Sequence, residues 1–125
     1  MLTLATVMVG SEEPDRLVNF YNQVLGEPGW TGEGYTGWKC GSAYFLIGPH
    51  DDVKGSNEMP GRIIFNFETD DVPGEFARIK GLGADVQQEP YQPSAAGGEV
   101  WLATLSDPDG NFFQLATPIP ADMMS

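Results

Sequence analysis

An internal repeat constrains the fold of this 125-residue chain more than any other feature. An apolar strand, an amphipathic helix and three shorter strands are predicted in each half. The segment 44–49 (YFLIGP) parallels 112–118 (FFQLATP), and Trp38 is matched in the same way with Trp101. A repeated supersecondary unit buries its apolar face by packing against its copy. The sequence therefore predicts an α+β fold built from two tandem βαβββ modules, in preference to a chance likeness of two stretches.

Two helices are predicted from apolar residues at helical spacing. The first begins near Pro14, ends at Gly26, and has the stripe Leu17, Phe20, Tyr21, Val24 and Leu25. The second follows Asp70 and Asp71, has Pro73 near its start, and has the stripe Val72, Phe76, Ile79 and Leu82. Two adjacent aspartates could act as a catalytic acid–base pair. Their position before a helix instead favours capping of the helix N-terminus.

The strands are predicted from short apolar runs separated by Gly and Pro. They cover residues 2–9, 36–40 and 43–48 in the first half, and 62–68, 84–88, 100–105 and 111–116 in the second. A further strand at 27–30 has weaker support, since Gly and Pro crowd it. We expect one domain over residues 1–125, with module one at about 1–50, a linker at 49–61 and module two at about 62–118.

The charge balance restricts the partners. Six Lys and Arg against 18 Asp and Glu give a net charge of −12, so nucleic acid and membrane partners are not expected. The apolar opening 1–9 is short and no basic residue precedes it, which does not match a secretory signal. Cys40 is the only cysteine, which fits a reducing, cytoplasmic location. Cys40 is interpreted as a small strand residue and not as a nucleophile.

Two motifs in the repeat resemble those of a known superfamily. They are 20–26 (FYNQVLG) at the end of the first helix and 107–111 (DPDGN) before the last strand. Together with the doubled unit they resemble the vicinal oxygen chelate superfamily, which includes glyoxalase I, extradiol dioxygenases, and fosfomycin and bleomycin resistance proteins. The resemblance covers essentially the whole chain. It implies a half-open mixed β-barrel cleft with the helices packed outside, and a homodimer.

The resemblance also locates the positions where metal-dependent members carry His, Gln or Glu. Mapped onto this chain, the four positions are Leu4, Leu46, Ile64 and Gln114. Leu and Ile coordinate nothing, and one neutral amide does not hold a divalent ion. We therefore expect a degenerate metal site, with no metal and no other cofactor.

Strand alternation predicts which side chains would face the cleft. Inward positions are Tyr44, Leu46 and Gly48, then Arg62, Ile64 and Asn66, then Phe112, Gln114 and Ala116; Phe45, Ile47, Ile63, Phe65, Phe67, Phe113 and Leu115 would pack under the helices. The predicted ligand-binding residues are Arg62, Asn66 and Gln114 as hydrogen-bonding groups, and Tyr44, Phe112 and Trp101 as apolar or stacking surface. The alternative is that Arg62 extends into solvent and Gln114 bonds across the barrel.

The function predicted from these features is glyoxalase-like or bleomycin-resistance-like binding of a small organic molecule in a metal-free cleft, which sequesters it. The acidic surface is compatible with a cationic or aromatic ligand. The alternatives are a metal-dependent glyoxalase-like lyase, isomerase or dioxygenase, and a metal-free enzyme that uses Arg62 or Tyr44. No catalytic residue is assigned. His50 is interpreted as a solvated loop residue, with a general base as the alternative, and the loop 90–98 is either a connector or a lid.

Overall fold

The computed structural model describes residues 1–93 and 99–118, and the chain divides into two compact units, Met1–Ser56 and Asn57–Ser125. The first unit consists of β1 (Thr6–Ser11), α1 (Pro14–Leu25), β2 (Trp30–Gly32), β3 (Tyr35–Cys40) and β4 (Ala43–Pro49). The second consists of a 3-10 turn (Pro60–Arg62), β5 (Phe65–Glu68), α2 (Val72–Lys80), β6 (Asp85–Tyr91), β7 (Leu102–Ser106) and β8 (Phe112–Ala116).

Each unit contains one four-stranded mixed sheet with the same topology. The strand orders are β1-β4-β3-β2 and β5-β8-β7-β6. The opening strand pairs in parallel with the last strand of its own unit, and the other pairs are antiparallel. A parallel pair requires a crossover connection, and in each unit that connection includes the helix. The predicted α+β fold of two βαβββ modules is confirmed.

The core of the first unit is an aromatic cluster between α1 and its sheet. Tyr21 is fully buried, and its ring centroid lies 5.0 Å from that of Phe45 and 6.3 Å from that of Trp38. The indole Nε1 of Trp38 donates to the carbonyl oxygen of Gly26 at 2.9 Å, which ties β3 to the end of the helix. Each buried large side chain contributes roughly 1.5–3 kcal/mol of transfer free energy. Phe45 and Ile47 are buried whereas Tyr44 and Leu46 are not, as the alternation predicts.

The core of the second unit forms between α2 and the other sheet. The helix buries Val72, Phe76 and Ile79, and the sheet buries Ala103, Leu105, Phe113 and Leu115. Asp71 caps the helix, since its side chain accepts a hydrogen bond from the backbone N–H of Gly74 at 3.0 Å. The capping interpretation of the aspartate pair is therefore confirmed for Asp71.

The opening strands begin later than the sequence predicts. β1 starts at Thr6, and the residues before it, including Leu4, are exposed. β5 starts at Phe65, because Pro60 begins a 3-10 turn that extends through Arg62. The expectation that Ile63 packs under the helix is wrong: its side chain precedes the strand and is 66% exposed.

The strand register also corrects the match between the two tryptophans. Trp38 pairs with Phe45, whereas the residue that pairs with Phe113 in the second unit is Leu105. Because 44–49 corresponds to 112–118, the counterpart of Trp38 is Leu105 and not Trp101. Trp101 lies just before β7, where its backbone N–H donates to the Thr117 hydroxyl at 2.9 Å.

The turn between β7 and β8 is a buried hydrogen-bond network. The Asp107 carboxylate accepts from the backbone N–H groups of Asp109 and Asn111 at 2.9 and 3.0 Å, and from the Asn111 amide at 3.0 Å. The linker also bonds to this turn: the backbone N–H of Asn57 donates to the Asp109 carbonyl at 2.8 Å, and its side chain donates to Asn111 at 2.9 Å. Residues 107–111 therefore have a structural role in the second unit.

We expect Asp107→Ala to lower the free energy of unfolding by about 2–4 kcal/mol, since it leaves buried N–H donors without an acceptor. Urea denaturation measures the loss. Asp51→Ala is the matched control, because it removes the same charge from an exposed loop position. Equal losses in the two variants would contradict a structural role for the Asp107 carboxylate.

Candidate functional site

The sheet face opposite α1 has an apolar row across all four strands. Met8 pairs with Leu46, Leu46 with Gly37, and Gly37 with Trp30. Residues paired in register lie on the same face of a sheet. Met8 and Trp30 remain 59% and 48% exposed, so this apolar row is open on the side away from the core.

A concave pocket of about 370 Å³ lies on this face. It is lined by Thr6, Gly29, Trp30, Tyr44 and Leu46, all of which belong to the first unit. Trp30 and Tyr44 supply two aromatic walls, Leu46 supplies a hydrocarbon surface, and Thr6 adds a hydroxyl group. An apolar pocket with few polar groups is the usual composition of a small-molecule site.

Two glycines make room for the side chains of this face. A Cβ atom at Gly37 would overlap Cδ2 of Leu46, and a Cβ atom at Gly48 would overlap the ring of Tyr35. The side chain of Leu46 in β4 therefore lies over Gly37 of β3, and the side chain of Tyr35 in β3 lies over Gly48 of β4. The Tyr35 hydroxyl donates to the carbonyl oxygen of Pro49 at 3.4 Å, which holds the ring over Gly48.

The second unit carries a polar row at the corresponding positions of its own sheet. Its members are Asn66 of β5, Gln114 of β8, Thr104 of β7 and Gln88 of β6, which pair in that order. The opposite face of this sheet is the buried one, with Phe113 and Leu105 under α2. The two units therefore present different chemistry on equivalent faces.

The predicted ligand-binding residues are distributed over both units. Tyr44 lies in the pocket of the first unit, whereas Asn66 and Gln114 are direct partners in the second. Phe112 begins β8 and is half-buried, two residues from Gln114 on the same face. Arg62 lies in the exposed 3-10 turn, 3.6 Å from the Met59 sulfur, and the half-buried Trp101 precedes β7.

The sequence analysis missed several residues that the structure brings to these faces. Trp30, Thr6 and Gly29 line the pocket, although Trp30 was predicted only as the end of a weak strand. Thr104 and Gln88 complete the polar row. Tryptophan beside Thr31 in a short run was the available sequence signal for β2, but Gly and Pro around it obscured the strand.

The four positions that the resemblance maps to metal ligands do not fit a metal ion. Leu4 and Ile64 precede their strands and are 75% and 41% exposed, and Leu46 lines the apolar pocket. Because Met8 pairs with Leu46 as Asn66 pairs with Gln114, the first-unit residue in register with Ile64 is Thr6, whose hydroxyl is a weak neutral donor. Gln114 offers one amide oxygen, and its register partner Asn66 offers another. Such a set contains no imidazole, thiolate or carboxylate. Among the described residues, no group of three His, Cys, Asp or Glu side chains is placed to hold an ion.

Three reactive side chains outside these faces are Cys40, His50 and Glu75. Burial raises the pKa of the Cys40 thiol, which disfavours the nucleophilic thiolate. His50 is exposed in the loop after β4, where its Nδ1 accepts from the backbone N–H of Asp52 at 3.1 Å. The pKa of Glu75 is lowered by its hydrogen bond to Arg78, but both residues lie on α2.

Of the helices in the described residues, none is long and apolar enough to cross a membrane.

A family model described as a glyoxalase-like domain matches residues 6–116. A glyoxalase-related enzyme from Fulvimarina pelagi is structurally similar, with a TM-score of 0.75 and 17% identity over 98% of this chain and 95% of that chain. A glyoxalase/bleomycin resistance protein from Albidiferax ferrireducens T118 has a TM-score of 0.74 and 22% identity, with 92% and 98% covered. A lactoylglutathione lyase from Agrobacterium tumefaciens has a TM-score of 0.68 and 20% identity, with 92% of each chain covered. No protein of curated function matches the sequence.

We expect Gly48→Ala to destabilise the protein by about 1–3 kcal/mol, since the new methyl group displaces the Tyr35 ring from a packed position. Urea denaturation measures the change. Gly61→Ala is the control, because a Cβ atom at Gly61 meets nothing within 4 Å. If both variants keep the stability of the wild type, Gly48 is not required for the position of Tyr35.

Proposed function

Because the chain belongs to the glyoxalase-like domain family, within the vicinal oxygen chelate superfamily, we propose that it binds a small aromatic molecule in the pocket of its first unit, without a metal ion. The function resembles that of bleomycin resistance proteins, which sequester a ligand without changing it. Fold alone does not assign a function, so the proposal depends on the chemistry of the site.

The observation that carries the proposal is the pairing of two open aromatic side chains on one face. Trp30 is 48% exposed and Tyr44 is 41% exposed, and both line the same 370 Å³ pocket. Exposed large apolar side chains that cluster around a concave surface are typical of ligand-binding sites. A planar ligand that stacks on either ring would remove this apolar surface from water.

The charge of the protein favours one class of aromatic ligand. A net charge of −12 attracts cations and repels anions at low ionic strength. Aromatic rings also attract a cation placed over their faces, and tryptophan does so most strongly. We therefore expect a planar cation to bind more tightly than a planar anion of the same size.

The metal-free part of the proposal follows from the residues at the superfamily's ligand positions. Leu4, Leu46 and Ile64 supply only hydrocarbon, and Thr6, which is in register with Ile64, supplies one neutral hydroxyl, so a Lewis acid has no sufficient donor set there. The metal-dependent lyase, isomerase or dioxygenase of the superfamily is therefore the competing function, and it requires donors elsewhere in the chain.

We expect proflavine, a tricyclic cation, to bind the wild type, and Trp30→Ala and Tyr44→Ala each to weaken it about twofold to tenfold through lost stacking. Titration followed by proflavine fluorescence measures the dissociation constants. Leu82→Ala is the matched control, since Leu82 is similarly exposed at 38% but follows α2. Anthracene-9-carboxylate, a tricyclic anion, should bind more weakly, and added salt should reduce the difference. Equal affinity of all variants for proflavine would contradict the proposed pocket.

We expect the purified protein to retain well under one equivalent of Zn, Ni, Mn or Fe after dialysis. Adding any of these ions should change the melting temperature no more than adding Mg²⁺ does. Mg²⁺ is the control for ordinary attraction of cations to an acidic surface. Elemental analysis and thermal melts provide the measurements. A stoichiometric metal together with chelator-sensitive lactoylglutathione lyase activity would overturn the binding function in favour of the enzyme.

A further inference from the structure

Glycines of the first sheet stand on its open face, opposite α1, at positions where the second sheet carries side chains. Counted from the paired opening and last strands, Gly10, Gly37 and Gly48 correspond in register to Glu68, Thr104 and Ala116. The fold therefore accepts larger residues at these positions. Glycine weakens the interior of a strand, and it often marks a place where another group approaches the backbone closely. The glycines of the first unit need a local reason.

The six-membered ring of Trp30 fills the space beside two glycines of the open face. A Cβ atom at Gly32 would lie 3.0 Å from Cζ2 of Trp30, and a Cβ atom at Gly37 would lie 3.6 Å from Cε3. Cζ2 and Cε3 are opposite corners of the ring, so the ring lies between the two positions. Because neither position carries a side chain, the indole lies low over the sheet.

The side chain of Leu46 reaches the same place from the other side. A Cβ atom at Gly37 would overlap Cδ2 of Leu46, and Gly37 of β3 pairs with Leu46 of β4 and with Trp30 of β2. Leu46 and Trp30 both line the 370 Å³ pocket. An aliphatic and an aromatic side chain thus approach each other over a residue without a side chain, and together they form a low apolar floor.

A low, flat floor discriminates between ligands by their thickness. Dispersion attraction falls steeply with distance, and a gap of about 0.5–1 Å already removes a quarter to a half of it. A fully aromatic ring system contacts such a floor over its whole face. A ring system of the same size with one saturated, puckered ring holds part of its face away from the floor.

We propose that Gly32 and Gly37 are the residues that determine shape specificity in this pocket, and that they select flat, fully aromatic ring systems over partly saturated ones of equal size and charge. A side chain at Gly37 raises Leu46 from the floor, and a side chain at Gly32 raises Trp30. The inference rests on the proposed binding of a small aromatic molecule and adds the residues that set its shape.

The test compares two cations that differ in one ring. 9-Aminoacridine has three aromatic rings, and 9-amino-1,2,3,4-tetrahydroacridine has the same aminopyridine cation with one outer ring saturated. Fluorescence titration gives the dissociation constant of each for the wild type, Gly37→Ala and Gly32→Ala. Gly48→Ala is the matched control, because it adds a methyl group to the same face but displaces Tyr35, which is not among the lining residues. Thermal melts verify that each variant is folded.

We expect the wild type to bind 9-aminoacridine roughly threefold to tenfold more tightly than the tetrahydro compound, because more of its face contacts the floor. Gly37→Ala and Gly32→Ala should each reduce this preference to about twofold or less, mainly by weakening 9-aminoacridine. Gly48→Ala should keep the preference of the wild type. A wild type without the preference would overturn the inference, and so would glycine variants that retain it.

The outcomes separate this inference from the proposed function. If both cations bind and Trp30→Ala weakens them, while the preference does not depend on Gly32 or Gly37, only the assignment of the glycines fails. If neither cation binds the wild type, the proposed function fails, and the specificity of the pocket fails with it. If Gly37→Ala does not fold, Gly32→Ala decides the question by itself.

Discussion

The parallel pairing of the first and last strand of each unit determines most of what the structure presents to solvent. It places Met8 beside Leu46 and Asn66 beside Gln114, and it brings the connecting helix onto one face of each sheet. Since alternate residues point to opposite faces, that face is committed to the core through Phe45 and Phe113. The opposite face does not contact the helix of its own unit, and Met8, Tyr44 and Asn66 on it are exposed.

The two units carry different side chains on this face. The first lines its open face with Trp30, Tyr44 and Leu46, and glycines at two positions let large side chains lie flat across the strands. The second places Gln114 and its polar neighbours at the equivalent row. A repeat with identical topology has thus acquired an apolar surface in one copy and a hydrogen-bonding surface in the other, because neither row contributes to the helix-facing core.

The turn at 107–111 shows how one motif can indicate a family without indicating its chemistry. Its carboxylate is occupied by local backbone N–H groups, and Asn57 joins the network from the linker. The motif thus supports the family through the geometry of a turn, while Leu46 and Ile64, which the resemblance maps to ligand positions, carry only hydrocarbon. The resemblance predicted the fold well for this reason, whereas the chemistry of the open faces depends on the individual residues at each strand position.

The sequence by itself determined the doubled βαβββ unit, both helices and the buried side of β4 and β8, because helical and strand periodicity are local properties of the chain. It did not determine where the opening strands begin, the partner of Gln114, or the correspondence of Trp38 with Leu105. Those depend on register between strands that are distant in the chain, and a shift in register leaves the local pattern of each strand unchanged. Only the tertiary structure decided them, and with them which side chains form the pocket and the polar row.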